Sequence, residues 1–327
     1  MTSAALLDTA AAPLAPQDLH RALMHGPLSQ GLHYLGERWT VAILLGAFMG
    51  TKRFEGWLSL LGIPRATLSD RLRSLCQLGV LERRDSSGSY HLSPAGLALY
   101  DAVLMIWDWE RRFGGRDLAM PTTLVHQPCG HAFTPELTCR HCPAPAHLHR
   151  LRLELVPSSG LTPPRLPPAT RQRGARMGDS AHTARMGLGL RVDRWALLCV
   201  AAVMLGCHHF SSLQVTLGVS SAVLARRLAA LVDAGLLHVD ADRSDARKRH
   251  YALTPASHAL LGYIVCFDHW AATHLTHCQP TIAPVHADCG TLFVPTTACS
   301  HCHSRLLPRE VTGLRSNALL QDSPLSP

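Results

Sequence analysis

The chain is written twice. Residues 61–81, LGIPRATLSDRLRSLCQLGVL, align without a gap to residues 217–237, LGVSSAVLARRLAALVDAGLL, and the same shift of 156 carries Arg38-Trp39 onto Arg194-Trp195 and Phe54 onto Phe210. Further on, a shift of 161 carries Tyr90, Leu92 and Pro94 onto Tyr251, Leu253 and Pro255, and Trp109 onto Trp270, so the second copy has five extra residues before Tyr251. The segment from His126 to Cys142 then aligns with His286 to Cys302 at a shift of 160. A repeat of this kind fixes the domain plan before any propensity argument, because each copy must fold the same two modules in the same order.

With 327 residues and 47% hydrophobic content, the chain has material for two or three packed cores. Its 31 Lys and Arg exceed its 23 Asp and Glu, a net charge of +8 that suits a polyanionic partner. The longest strongly apolar run, Trp195 to Cys207, is shorter than the ~18–20 residues of a membrane helix. Met1 to Pro16 lacks the positive segment of a secretory signal, which predicts a cytoplasmic protein without a membrane partner. Eleven cysteines in such a setting point to metal binding or free thiols rather than a disulfide framework.

In the larger module of copy one, Leu28 to Met49 has apolar residues at helical spacing, and a second short helix surrounds Phe54 to Leu61. Gly62 makes a turn, and Pro64 opens a third helix whose Leu68, Leu72 and Leu75 share one face before Gly79 stops it. Val80–Arg84 and Tyr90–Leu92 form a hairpin around Asp85-Ser86-Ser87-Gly88. A last helix after Ser93-Pro94 lines up Leu99, Val103, Ile106 and Trp109, repeated in copy two as Leu260, Ile264, Phe267 and Trp270. Helix, helix, turn, helix, hairpin, helix is the order of a winged helix-turn-helix. The expected fold class is therefore mainly α with small β-hairpins.

With the leucines of the third helix buried, Arg65, Thr67, Ser69, Arg71 and Arg73 fall on or beside its open face, where arginine can meet guanine edges or phosphates. The matching positions of copy two are Ser220, Ser221, Val223, Arg226 and Arg227, with Ser220 placed to cap the helix. A solvated helix face is the alternative reading of any one of these residues; the repetition of the whole helix order favours double-stranded DNA. The second hairpin is longer and ends in Arg247-Lys248-Arg249, suited to a backbone or minor groove, whereas the first is neutral at its tip. Arg83 and Arg84 sit at the base of that first wing, where pairing with Glu82 or Asp85 competes with phosphate contact.

These stretches, GERWTVAILLGAFMGTKRFEGWLSLLGIPRATLSDRLRSLCQLGVLERR, then SYHLSPAGLAL and the Trp107-Asp108-Trp109 region, resemble the HxlR family of bacterial winged helix-turn-helix transcription regulators over about residues 20–115 and again over 185–275. The resemblance implies a sequence-specific regulator with the third helix in the major groove, acting as a homodimer on a palindromic operator through its first and last helices. Here two units are fused, which leaves two arrangements: an internal pseudo-dimer, or pairing of each copy with its counterpart in a second chain. Where many members carry a thiol-sensing Cys-Pro, this chain has Gly26-Pro27 and His182-Thr183, so that route is not expected. Cys76, Cys199, Cys207 and Cys266 lie in apolar helical patterns and read as inert core thiols.

The smaller module has one spacing in both copies: His126-x2-Cys129-x9-Cys139-x2-Cys142 and His286-x2-Cys289-x9-Cys299-x2-Cys302. Two short ligand pairs separated by a loop, each with a glycine (Gly130, Gly290) after the first cysteine, place four donors around a tetrahedral ion, and thiolates suit zinc. Each module is thus expected to close its own zinc-ribbon-like site. His126 and His286 are preferred as fourth ligands over His141 and His301, which are wedged between ligand cysteines. Four protein donors leave no open position, so both ions would be structural and the protein would not be an enzyme; no phosphate loop, nucleophile elbow or HExxH motif is present.

The domain plan is a flexible N-terminus (1–19), winged domain 1 (20–118), zinc-ribbon-like module 1 (119–156), a Pro/Arg-rich linker (157–184), winged domain 2 (185–277), module 2 (278–312) and a flexible tail (313–327). A zinc-stabilised protein-interaction scaffold with degenerate winged domains is the alternative function. A small-molecule effector fits either reading, and the sequence does not identify one.

Overall fold

The computed structural model describes residues 15–84, 88–114, 121–156, 194–241, 249–276 and 278–314. The Pro/Arg-rich linker, the tips of both wings with Arg247 and Lys248, and nearly all of the tail lie outside these residues. The first half runs α1 (Pro16–His25), α2 (Pro27–Leu35), α3 (Arg38–Phe48), α4 (Phe54–Leu61), α5 (Arg65–Gln77), β1 (Leu81–Arg84), β2 (Ser89–Leu92), α6 (Pro94–Leu97) and α7 (Tyr100–Phe113), then β3 (Thr123–His126), β4 (His131–Phe133), β5 (Pro135–Cys139) and β6 (Leu151–Leu155). The second half repeats it as α8 (Arg194–Met204), α9 (Phe210–Leu217), α10 (Ser221–Asp233), β7 (Leu237–Ala241), β8 (Arg249–Leu253), α11 (Pro255–Ala259) and α12 (Leu261–His274), followed by β9 (Ile282–His286), β10 (Pro295–Cys299) and β11 (Val311–Leu314). Tandem winged helix-turn-helix units, mainly α with small antiparallel strand pairs, are what the repeat predicted.

Each winged unit is built on the leucine face of its third helix. Leu68, Leu72 and Leu75 of α5 and Leu224, Leu228 and Leu231 of α10 are at most 1% exposed; each such side chain contributes about 1.5–3 kcal/mol on burial. Gly62 (φ 59°) and Gly218 (φ 62°) end α4 and α9 in the left-handed region, which lets the chain turn sharply into the third helix. The wings are the hairpins β1–β2 and β7–β8, paired Leu81 to Leu92 and Leu237 to Leu253.

Three details differ from the sequence reading. The N-terminus is helical from Pro16, because Leu19, Ala22 and Leu23 of α1 bury against the second half, where His20 Nδ1 lies 3.0 Å from the Thr216 carbonyl. The helical stretch 28–49 is broken at Gly36-Glu37: Glu37 is extended, and a side chain on Gly36 would collide with the Leu32 carbonyl that its amide caps. The last helix is likewise two, since the Ser93 and Thr254 hydroxyls cap the short α6 and α11 before α7 and α12 begin.

The two halves pack on each other within the chain. α7 lies against α12, α2 against α12 and α8, and α1 against α9. At the centre, Trp109 Nε1 donates to the Ala256 carbonyl at 2.6 Å, and its counterpart Trp270 Nε1 donates to Ala95 at 2.8 Å. Gly31 lets α2 approach closely, for a Cβ there would sit 2.8 Å from the Phe267 ring. Arg194 bonds Ser29 Oγ at 2.7 Å, and Thr281 Oγ1 donates to the Ala22 carbonyl at 2.7 Å. Among the described residues no single helix is long and apolar enough to cross a membrane.

Replacing either tryptophan removes one donor from a partly buried carbonyl of the opposite half. Trp109→Phe and Trp270→Phe should each lower unfolding stability by about 1–3 kcal/mol, read from urea denaturation. A midpoint unchanged in both variants would mean that the halves are not held together there.

Candidate nucleic-acid interface and metal centres

The third helices present their polar faces unevenly. On α5, Arg65 and Arg73 are exposed and held by surface ion pairs, Arg65 to Glu55 at 2.7 Å and Arg73 to Asp70 at 2.8 Å, while Arg65 also lies 5.3 Å from the Phe54 ring centre. Exposed pairs of this kind contribute about 0–1 kcal/mol, so a phosphate can displace the carboxylate. Thr67 and Ser69 are partly exposed beside them. Arg71 is different: its side chain is 27% exposed, with Nε 3.0 Å from Glu37 just before α3.

The equivalent residue on α10, Arg227, behaves alike, its guanidinium 5.0 Å from the Trp195 ring centre at the start of α8. Arg71 and Arg227 are therefore turned toward the start of α3 and α8, a placement that leucine periodicity could not reveal because it depends on what packs beside the helix. Ser220, Ser221 and Arg226 are exposed. Ser220 occupies the N-cap position, but its hydroxyl makes no capping bond. Arg83, Arg84 and Arg249 are exposed in the wing strands.

The eight Cys/His positions of the small modules do converge, but across the halves. The expectation that each module closes its own site is corrected: one group is His126, Cys129, Cys299 and Cys302, the other Cys139, Cys142, His286 and Cys289. The cause is strand pairing. β5 runs antiparallel to β10 with Cys139 opposite Pro295 and Cys299 opposite Pro135, so the C-terminal cysteine pair of each module is carried to the His-x2-Cys turn of the other. The exchange is completed by β11 on β3 (Val311 opposite His126) and β6 on β9 (Leu151 opposite His286).

Within each group the donor atoms all lie within 4.8 Å of one another. Cys129 Sγ is 4.0 Å from Cys299 Sγ and Cys302 Sγ is 3.3 Å from His126 Nδ1; in the other group Cys139 and Cys289 are 4.0 Å apart and Cys142 is 3.2 Å from His286 Nδ1. A tetrahedral ion with metal–sulfur bonds of ~2.3 Å needs sulfurs roughly 3.8 Å apart, so the donor set fits a metal without rearrangement. Either group could hold a metal ion.

Both histidines are fully buried and offer Nδ1. His286 Nε2 faces Asp288 at 3.3 Å, a carboxylate that would orient the ring; proline stands at the matching place, Pro128. One thiol of each group is poised as thiolate: hydrogen bonding from Thr291 lowers Cys289 to about 6, and the Ser304 amide lowers Cys302 to about 6. The sequence reading had not singled out Thr291, Ser304 or Asp288, which carry no spacing signal. His141 and His301 belong to neither group; His301 stacks on His131 at 3.5 Å, and these two rings form a more exposed cluster with Cys129.

Cys199, Cys207 and Cys266 are buried as expected, whereas Cys76 is partly exposed. Burial pushes the Cys207 and Cys266 thiols up, and the buried Cys278 thiol up to about 12.

The crossed arrangement separates two double variants. Cys129→Ser/Cys299→Ser disables one group and should leave one metal ion per chain, while Cys129→Ser/Cys139→Ser disables both and should leave none, read by elemental analysis of the purified protein. Ligation within each module would reverse the two results.

Comparison with known proteins agrees with the two winged units. The model of the HxlR-like helix-turn-helix family matches residues 34–117 and 191–279, more than half of the chain. Uncharacterised HTH-type transcriptional regulators of Mycobacterium tuberculosis (strain H37Rv) and Mycobacterium bovis are each 37% identical over 134 residues, 39% of this chain and 85% of theirs. No solved structure matches the chain. With both halves matched, the protein belongs to the HxlR-like helix-turn-helix family.

Proposed function

We propose that the protein is a DNA-binding transcriptional regulator in which one chain supplies both reading heads of an internal pseudo-dimer. The observation that carries this reading is the pair of leucine-backed third helices, α5 and α10, each with an exposed polar face and each in a half that packs against the other. In a family whose relatives are named transcriptional regulators, such helices enter successive major grooves and the wings lie on the backbone or in the minor groove.

Arg65, Thr67, Ser69 and Arg73 of the first half and Ser220, Ser221 and Arg226 of the second are the contact residues, with Arg247, Lys248 and Arg249 of the longer wing adding phosphate contacts. Arg71 and Arg227 act as positioning residues that fix each third helix against the start of α3 and α8. The ions are two structural Zn(2+), one per crossed group, since three thiolates and one imidazole suit that metal and leave no open position for catalysis. A cytoplasmic, non-enzymatic protein follows from this role.

The test is binding to duplex fragments from the protein's own upstream region, followed by fluorescence anisotropy across salt. Arg65→Ala and Arg226→Ala should each weaken binding and reduce the salt slope by about one. Arg71→Ala should weaken binding with the slope unchanged. Retention on DNA that does not respond to salt or to these substitutions would favour the interaction scaffold instead.

A further inference from the structure

A cavity of about 670 Å³ opens between the halves, bounded by α1 and α2 of the first, α8 and α12 of the second, and the crossed strands β6 and β9. Its walls are mostly apolar, among them Leu23, Leu28, Met204, Ile264 and Leu292. Among the described residues lining it, Asp268 is the single carboxylate. A space of this size lies within the roughly 300–1,000 Å³ of small-molecule sites.

Four of the residues that line the cavity differ in size or charge from their counterparts in the first half. Ala201, Met204, Leu261 and Asp268 occupy the positions where the first half has Leu45, Phe48, Tyr100 and Trp107. In that half the counterparts are larger and packed: the Phe48 and Tyr100 rings lie 5.4 Å apart, and the buried Trp107 indole donates to the Pro121 carbonyl at 2.9 Å. A carboxylate thus stands in an apolar chamber where its counterpart is an indole. One of its oxygens accepts from the Leu28 amide at 2.8 Å, in the first turn of α2. That single bond does not offset desolvation, which pushes the carboxyl up to about 7. The neighbouring His269 has its pKa lowered, chiefly by desolvation.

From this geometry we propose that the cavity binds an apolar organic cation of small-molecule size, its aliphatic or aromatic body against the leucines and its charge beside Asp268. Such a ligand replaces the water that a carboxylate in this chamber otherwise requires. Because its walls come from both halves, an occupant touches the elements that set the halves against each other. Binding itself does not depend on the DNA-reading role.

Calorimetric titration of the full-length protein with tetraphenylphosphonium tests the proposal, with the anionic dye anilinonaphthalene sulfonate as the charge control. One saturable site per chain is expected for the cation. Asp268→Asn, which keeps the acceptor for Leu28, should weaken it about tenfold or more through loss of the charge. Ala201→Leu/Leu261→Tyr, which installs first-half residues, should abolish binding while thermal unfolding stays cooperative. Absence of saturable cation binding, equal affinity in Asp268→Asn, or a preference for the anion would each overturn the proposal; an unfolded double variant is replaced by Met204→Phe, for which weaker binding supports it and unchanged affinity overturns it.

Discussion

Between β5 and β10, two copies of the same short strand lie antiparallel across a local twofold axis, Cys139 opposite Pro295 and Pro135 opposite Cys299. An isologous contact of this kind repeats every neighbouring interaction once on each side. The Trp109–Ala256 and Trp270–Ala95 bonds, and the β3–β11 and β6–β9 pairs, are such repeats. The crossed Cys/His groups belong to the same arrangement. A module that contributes its histidine and first cysteine to one group and its last two cysteines to the other cannot be removed without opening both.

This arrangement changes what a metal ion would stabilise. In a ribbon closed on itself the ion holds a local loop. Here it would join segments 144 to 176 residues apart, such as Cys142 and His286 or Cys302 and His126, and so close long loops in the unfolded chain. Long closures cost the denatured state more entropy than short ones, though the cost rises only slowly with length. The larger consequence is geometric, because the metal groups and the α7–α12 contact together fix one winged unit relative to the other.

Much of this was readable before any coordinates. Leu68, Leu72 and Leu75 declared the buried face of α5 by periodicity alone, and the repeat at Leu224, Leu228 and Leu231 declared α10. The eight Cys/His positions were legible from spacing. Their pairing was not, since spacing within one module is equally compatible with closure on itself and exchange with a twin; only the β5–β10 register decides it. Arg71 and Arg227 looked like surface cations for a related reason: whether an arginine reaches outward or folds back depends on Glu37 or Trp195, residues on another helix. Helix α1 escaped notice because its short apolar face becomes stable only against α9, a tertiary partner some 200 residues away.

Fusion also releases a constraint that a homodimer must obey. In a twofold dimer of identical chains, a substitution that opens a cavity on one side opens it on the other, and the destabilisation is incurred twice. In a fused chain the halves can diverge independently. The first half has Leu45, Phe48, Tyr100 and Trp107 where the second has Ala201, Met204, Leu261 and Asp268, which line a chamber at the junction. The longer second wing and the differing faces of α5 and α10 belong to the same divergence. Two heads that are not alike suit a target whose two half-sites are not alike, and a chamber lined by residues of both halves gives the pair a place to be biased. The symmetric contacts at the centre hold the halves together, while the asymmetric residues around them are free to specialise.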